Sequence, residues 1–266
     1  MCTIKKSDID DRLKSYVSAN VLCNYMRKIE FLQKVLTNMA FKPRYFEEKL
    51  DYLNLTTISA ISFPMTCFCD IPFSKVSMHT NTYGRYGIAL DKNALLNKNL
   101  QPIMYINPES DLCKYLSSAL EKLILTTSSL PNDYDELYNY VLSQLLYTKP
   151  LTGVMERTKG TTEYLNFKDE CEWRYIPDLP DDFPLILKDK YNNDVSRQKY
   201  SNGLSKHEVA WLKFDPNDIR YIIMPNKEEA DHLIEFIMKL SDLKQEEKYR
   251  LIRKIEILDF FAEDLV

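Results

Sequence analysis

The sequence has 266 residues, 45% of them hydrophobic and 28% charged, enough apolar material for a buried core and too much for a disordered chain. Its 35 basic and 39 acidic side chains leave a formal net charge of −4, which excludes a general nucleic-acid coat or an anionic-membrane binder while leaving room for a local basic groove. No apolar run approaches the ~18 residues that span a bilayer, and with only five glycines the chain has no G-x-G-x-x-G turn or Walker-type loop to cradle a phosphate. The opening stretch, Met1 to Asp11, lacks the apolar centre of a signal peptide. Six scattered cysteines in a core-rich chain read as the reduced thiols of a cytoplasmic protein.

In chain order, the short apolar run 21–25 predicts a strand feeding a helix over 27–39, where Ile29, Leu32, Val35, Leu36 and Met39 form one stripe. Strands are expected over 61–69, 86–90 and 102–106. Two tandem helices follow. Leu112, Leu116, Ala119, Leu120 and Leu123 share a face of the first; Pro131 opens the second, with Tyr134, Leu137, Tyr138, Val141, Leu142 and Leu145 on its stripe. After Gly160 the residues turn β-like again over 163–167 and 171–176. Residues 177–184 read as an exposed Asp- and Pro-rich loop, and 189–203 as polar and mobile. Two strands, 209–214 and 219–224, precede a helix over 227–240 and a charged, solvated helical stretch over 242–250. Without repeats or a Gly/Ser linker, and without regular alternation of strand and helix, the expectation is a single α+β domain. Its core would run over about 20–225, with a helical, charged extension over 226–266.

Three stretches could carry chemistry. In Asp169-Glu170-Cys171-Glu172-Trp173-Arg174-Tyr175, strand alternation puts Glu170, Glu172 and Arg174 on one face and Cys171, Trp173 and Tyr175 on the other. Two carboxylates there could act as a base or stabilise a developing cation; a half-exposed strand with solvated charges fits the same pattern. Cys67, Cys69, Asp70 and His79 invite a metal reading, but zinc sites pair two ligand clusters and no second one follows, so buried thiols without metal are expected. Tyr83-Gly84-Arg85-Tyr86-Gly87 places two of the five glycines before a strand, which suits a tight turn or the close approach of a ligand to backbone, and equally an ordinary turn. His207 and His232 sit in no local pattern.

Taken together, the stretches Pro64–Ser74, His79 with Tyr83–Ile88, and Glu170–Tyr175 resemble the AbiGi family of bacterial abortive-infection proteins, over about Leu22 to Met224. The resemblance implies a component of a phage-resistance system, an antitoxin-like or sensor partner of a second protein from the same operon that looks like a nucleotidyltransferase toxin. A phage component or a nucleic acid is a further partner it allows, and a membrane is not. The order of strands and helices is also similar to ADP-ribosyltransferases of the DarT type, which bind NAD without a glycine-rich loop. That likeness implies an ADP-ribosyltransferase-like mixed sheet core. It places Glu172, completed by Glu170, at the catalytic glutamate, and Asn24 where a His-aromatic-Thr group contacts the cofactor. Tyr25, His79, Tyr83 and Tyr86 would line the same NAD site. Asn24-Tyr25-Met26 lacks the histidine and the hydroxyl of that group. Two functions follow: a binding partner that restrains a toxin or senses infection, or an ADP-ribosyltransferase or NAD-consuming effector acting on nucleic acid or protein.

Overall fold

The computed structural model describes residues 18–126, 135–156, 162–178, 182–187 and 191–260. The first half of the chain forms β1 (Val21–Met26), α1 (Ile29–Asn38), β2 (Ala40–Phe41), β3 (Arg44–Lys49), β4 (Ala60–Cys69), α2 (Ser77–Tyr83), β5 (Tyr86–Asp91), α3 (Lys92–Leu95), β6 (Leu100–Pro102), β7 (Met104–Ile106) and α4 (Asp111–Thr126). The second half forms α5 (Asp135–Leu146), β8 (Thr148–Pro150), β9 (Thr152–Glu156), β10 (Thr162–Asn166), β11 (Glu172–Tyr175), α6 (Asp194–Leu204), β12 (Leu212–Lys213), β13 (Ile219–Met224), α7 (Lys227–Lys239), α8 (Gln245–Ile252) and β14 (Ile255–Ile257). Strands pair both parallel and antiparallel, and helices are interspersed irregularly, so the fold is of the expected mixed α and β class. Among the described residues no helix is long and apolar enough to cross a membrane. The chain forms two compact units: residues 1–40, 68–100 and 213–266, and residues 41–67 and 101–212.

The first unit is organised around β5. Tyr86–Asp91 pairs antiparallel with β1 on one side and with β13 on the other, and β14 adds to β13 in parallel. Ile88, Ala89 and Leu90, like Ile222, Ile223 and Met224, are fully buried. Such uninterrupted apolar runs are what a strand covered on both faces requires. Leu32 and Leu36 of α1, and Ala230, Leu233 and Ile237 of α7, are buried at helical spacing. Asn226 caps α7 by accepting from the Glu229 N–H at 2.9 Å.

The glycine-poor sequence uses Gly84 where α2 turns into β5. Its φ is +118°, and a Cβ there would lie 2.1 Å from the Met26 carbonyl oxygen and 2.6 Å from Arg27 Cα. Between the readings left open for this segment, the geometry at Gly84 is a tight turn packed against backbone. At Gly87 a Cβ would meet Tyr25 Cδ1 at 3.1 Å and Ile223 Cδ1 at 3.2 Å, a close fit without unusual φ.

In the second unit β3 pairs antiparallel with β4, Arg44 opposite Met65 through Lys49 opposite Ala60, and β11 neighbours β4. Below these strands lies a core of Leu53, Ile61, Phe63, Ile106, Leu116, Leu120 and Leu145. The two tandem helices bury their expected stripes only in part: Leu116, Leu120 and Leu145 are buried, whereas Leu112, Ala119 and Leu137 are exposed, because the buried face of the first helix runs through Cys113 instead. Pro131 and Tyr134, assigned to the second of them, lie outside the described residues. The stretch expected to be mobile, 189–203, instead contains α6, although residues 189 and 190 lie outside the described residues. The helix is polar, and its signals are local: the Asn193 side chain accepts from Ser196 N–H at 2.9 Å, and Arg197 bridges Glu47 at 2.6 Å and Asp194 at 2.5 Å. Ser201, buried, accepts from the Tyr45 N–H at 2.9 Å, which docks α6 on β3. The expected exposed loop 177–184 contains the buried Phe183, while 179–181 lie outside the described residues. The strand expected over 209–214 shortens to β12 after a single 3₁₀ turn at Glu208–Ala210.

Replacing Gly84 by alanine should lower the free energy of unfolding by more than ~1 kcal/mol, because both the positive φ and the 2.1 Å approach resist a Cβ. Gly87→Ala should cost less, since its φ is not positive and its neighbours, two side-chain tips and the Asn24 carbonyl oxygen, stand no closer than 3.1 Å. Urea unfolding of the two variants beside the wild type measures the difference; equal midpoints would contradict it.

Candidate functional site

The stretch that carries the paired glutamates does not form one continuous strand. Phe167–Glu170 makes a 3₁₀ turn, Cys171 takes a left-handed conformation at φ 43°, and only then does β11 begin at Glu172. The turn still returns Glu170 to the side of Glu172, because one ammonium holds both. Lys149, from β8, places its Nζ 2.6 Å from Glu170 Oε2 and 3.3 Å from Glu172 Oε2, 4.6 Å from the centre of the Phe167 ring. The other oxygen of Glu172, Oε1, accepts from Arg174 Nε at 2.7 Å.

Arg174 in turn is wholly buried. Its Nη1 donates to the Leu146 carbonyl at 2.7 Å, and its Nη2 lies 3.0 Å from Glu48 Oε1 of β3. The Nη2 contact is an ion pair without hydrogen-bond alignment. The Glu172 N–H donates to the Tyr105 hydroxyl at 2.8 Å. Three carboxylates, Glu48, Glu170 and Glu172, thus face two cations, Lys149 and Arg174, inside the second unit.

Burial by itself would raise the pKa of Glu172, but Arg174 and Lys149 outweigh it and hold the carboxyl at about 2. Burial would likewise lower Lys149, yet Glu172, Glu170 and Glu48 raise it above the ordinary lysine range. The Cys67 thiol is pushed well up by burial and by the Glu172 charge, which leaves it a poor nucleophile at neutral pH. A general acid needs a proton to give, and Glu172 holds none above the acid range. The charges are not solvated as on an ordinary surface strand: Glu172 is 8% exposed and Arg174 0%.

Asn24, Tyr25, His79, Tyr83 and Tyr86 all belong to the first unit, whereas Glu170 and Glu172 belong to the second. Within the first unit they fall into two groups. Tyr25 of β1 meets His79 of α2 edge-on at 5.6 Å between ring centres, and His79 stacks on Tyr83 at 4.5 Å. Asn24 pairs with Ile88, and Met26 with Tyr86, so Asn24 and Tyr86 share the sheet face opposite Tyr25. On that face burial, then Glu229 of α7, raises the Tyr86 hydroxyl. His207 makes an edge contact with Phe183, 5.0 Å between centres. Among the described residues no three His, Cys, Asp or Glu side chains cluster in a metal-binding arrangement.

Sequence reading missed Lys149, Glu48 and Tyr105, which stand far from Glu172 along the chain and in no motif with it. Their only signal is that Lys149 and Glu48 are charged residues inside short β-type stretches.

The comparisons with known proteins agree with the resemblance drawn from Pro64–Ser74, Tyr83–Ile88 and Glu170–Tyr175. Residues 39–225 match the family model described as "Putative abortive phage resistance protein AbiGi, antitoxin". The chain belongs to the AbiGi family. It is 34% identical over 248 residues to the abortive phage resistance protein AbiGi of Lactococcus lactis subsp. cremoris, covering 85% of this chain and 100% of that protein. No solved structure matches. The network Glu48–Arg174–Glu172–Lys149–Glu170 lies wholly inside the stretch that matches the AbiGi family model.

Removing one ion from a buried network strands its partners, typically at ~3–5 kcal/mol. Glu172→Gln, although nearly isosteric, should therefore lower stability by about 3 kcal/mol at neutral pH. The folded carboxyl titrates at about 2, below its ordinary 4.5, so its contribution is complete above pH 4.5 and is lost as pH falls toward 2. Wild-type urea midpoints should drop across that window, and the Glu172→Gln variant should lose less there. A variant as stable as wild type at pH 7 would show that the network contributes nothing.

Proposed function

We propose that this chain is the inhibitory component of a two-protein abortive-infection system and restrains a nucleotidyltransferase-like toxin by binding it. The observation that carries the reading is that both oxygens of the buried Glu172 are engaged by cations: Arg174 holds one and Lys149 the other. Stabilising an oxocarbenium-like ribose calls for a carboxylate whose lone pairs face the substrate, and here they face the protein's own cations. The same ions, paired and dry, serve well to fix the shape of a domain that acts as a binding surface. Membership in a family described as an antitoxin supports a dedicated protein partner. A phage product or nucleic acid would then act on that complex as a trigger.

The test is co-expression with the product of the neighbouring gene. That product alone should arrest growth, the pair should not, and the two should co-purify as a complex burying more than ~1,000 Å². Phage protection should require both. Full protection by this chain alone, or NAD consumption by the purified chain that is lost in a folded Glu172→Gln variant, would replace this reading with the ADP-ribosyltransferase one.

A further inference from the structure

In the first unit, the edge of β1 meets the end of β4 at one register position, Cys23 opposite Cys69. Residues directly opposite each other on antiparallel strands have Cα atoms ~4.5–5.5 Å apart and side chains on the same face. Disulfide formation asks for Cα separations of ~4.4–6.8 Å. Both cysteines are reduced, and they are 1% and 2% exposed. They sit in one apolar cluster with Val21, Ile71, Val76 and Ala89, and Tyr25 packs on its rim.

We infer that Cys23 and Cys69 are a peroxide-oxidisable dithiol that closes into a cross-strand disulfide and fastens β1 to β4. The inference stands on the register and is independent of the proposed function. The reaction balances with hydrogen peroxide as the two-electron oxidant. The sulfur of one cysteine attacks a peroxide oxygen, the O–O bond breaks, and the departing hydroxide takes up the thiol proton as water. The second sulfur then displaces hydroxide from the resulting sulfenic acid, forming the S–S bond. Its own proton leaves with that hydroxide as a second water, so two thiols lose two electrons and two protons in all.

One feature favours the pair over other thiols of the chain. The second sulfur stands opposite the first in the register, so a sulfenic acid formed on opening is captured when the strands pair again rather than oxidised further. Cys171, by contrast, is exposed and has no cysteine opposite it in a sheet register, so its oxidation leads to sulfenic acid or to links between molecules. Because the pair is buried, its oxidation follows opening of the β1–β4 contact and is slow in the folded protein. The linkage then joins positions distant in sequence, which restricts the unfolded chain and raises stability.

The test uses the full chain carrying Cys171→Ser, so that the exposed thiol does not compete. It is incubated with hydrogen peroxide, its remaining thiols are blocked in denaturant, and it is digested without reductant for mass spectrometry. The expected product is one peptide pair joining Cys23 to Cys69, lost on dithiothreitol treatment and accompanied by a higher thermal midpoint. The same treatment repeated in sub-denaturing urea, where β1 and β4 separate more often, should speed its appearance. Recovery of Cys23 and Cys69 as blocked thiols or as sulfinic acids under both conditions would overturn the inference, as would a Cys67–Cys69 link. Cys23→Ser and Cys69→Ser should each abolish the oxidative rise in midpoint. If either variant fails to fold, the peptide pair in Cys171→Ser still decides the matter.

Discussion

The ion pair between Glu172 and Arg174 sets the terms for the second unit. An arginine at 0% exposure has given up its hydration, and the cost of that is several kcal/mol unless nearly every N–H finds an acceptor. The fold answers with two acceptors from separate stretches of chain, Glu172 at the start of β11 and the Leu146 carbonyl at the end of α5, and with the charge of Glu48 on β3, which pairs with Nη2 without a hydrogen bond. Once these are fixed, β3 and β11 and the α5–β8 junction have little freedom relative to one another. Lys149 follows because two adjacent buried carboxylates would otherwise repel, and its ammonium sits between Glu170 and Glu172. Buried ion networks of this kind contribute little net stability compared with an apolar core, and their value lies in specifying one arrangement of strands.

The same pairing fixes the protonation states of the most chemically suggestive residues. A carboxylate held at about 2 by two cations remains an anion throughout the neutral range, and its field is spent on those cations. Cys67 is kept as a thiol by burial, and then by the same charge. On the proposed reading, a chain that acts by binding needs a surface held in a defined shape, and an internal lattice of paired charges supports such a shape.

The first unit is governed by backbone proximity instead of charge. β5 is paired on both sides, and where α2 turns into it Gly84 lies against the Met26 carbonyl. The scarce glycines thereby acquire meaning: one permits a positive φ and a contact too close for any Cβ. On one face of this sheet, Cys23, Cys69 and Tyr25 pack together; the other carries Asn24 and Tyr86, with Glu229 of α7 beside the Tyr86 hydroxyl.

The sequence by itself determined the mixed α and β class, the apolar strands now seen as β1, β4, β5 and β13, the helices α1, α4, α5 and α7, and membership in the AbiGi family. Each rests on a local signal, since hydrophobic periodicity and contiguous motifs survive in one dimension. It misjudged α6, whose stability comes from an Asn193 cap and ion pairs rather than from an apolar stripe. Only the tertiary structure decided that the Glu170–Arg174 face is buried. Alternation along a strand is identical whether the polar face meets water or counter-ions, and the counter-ions Lys149 and the partner carboxylate Glu48 come from remote stretches. Register is equally invisible in one dimension, so the pairing of Cys23 with Cys69, and the placing of Tyr86 on the face of Asn24, had to await the sheet.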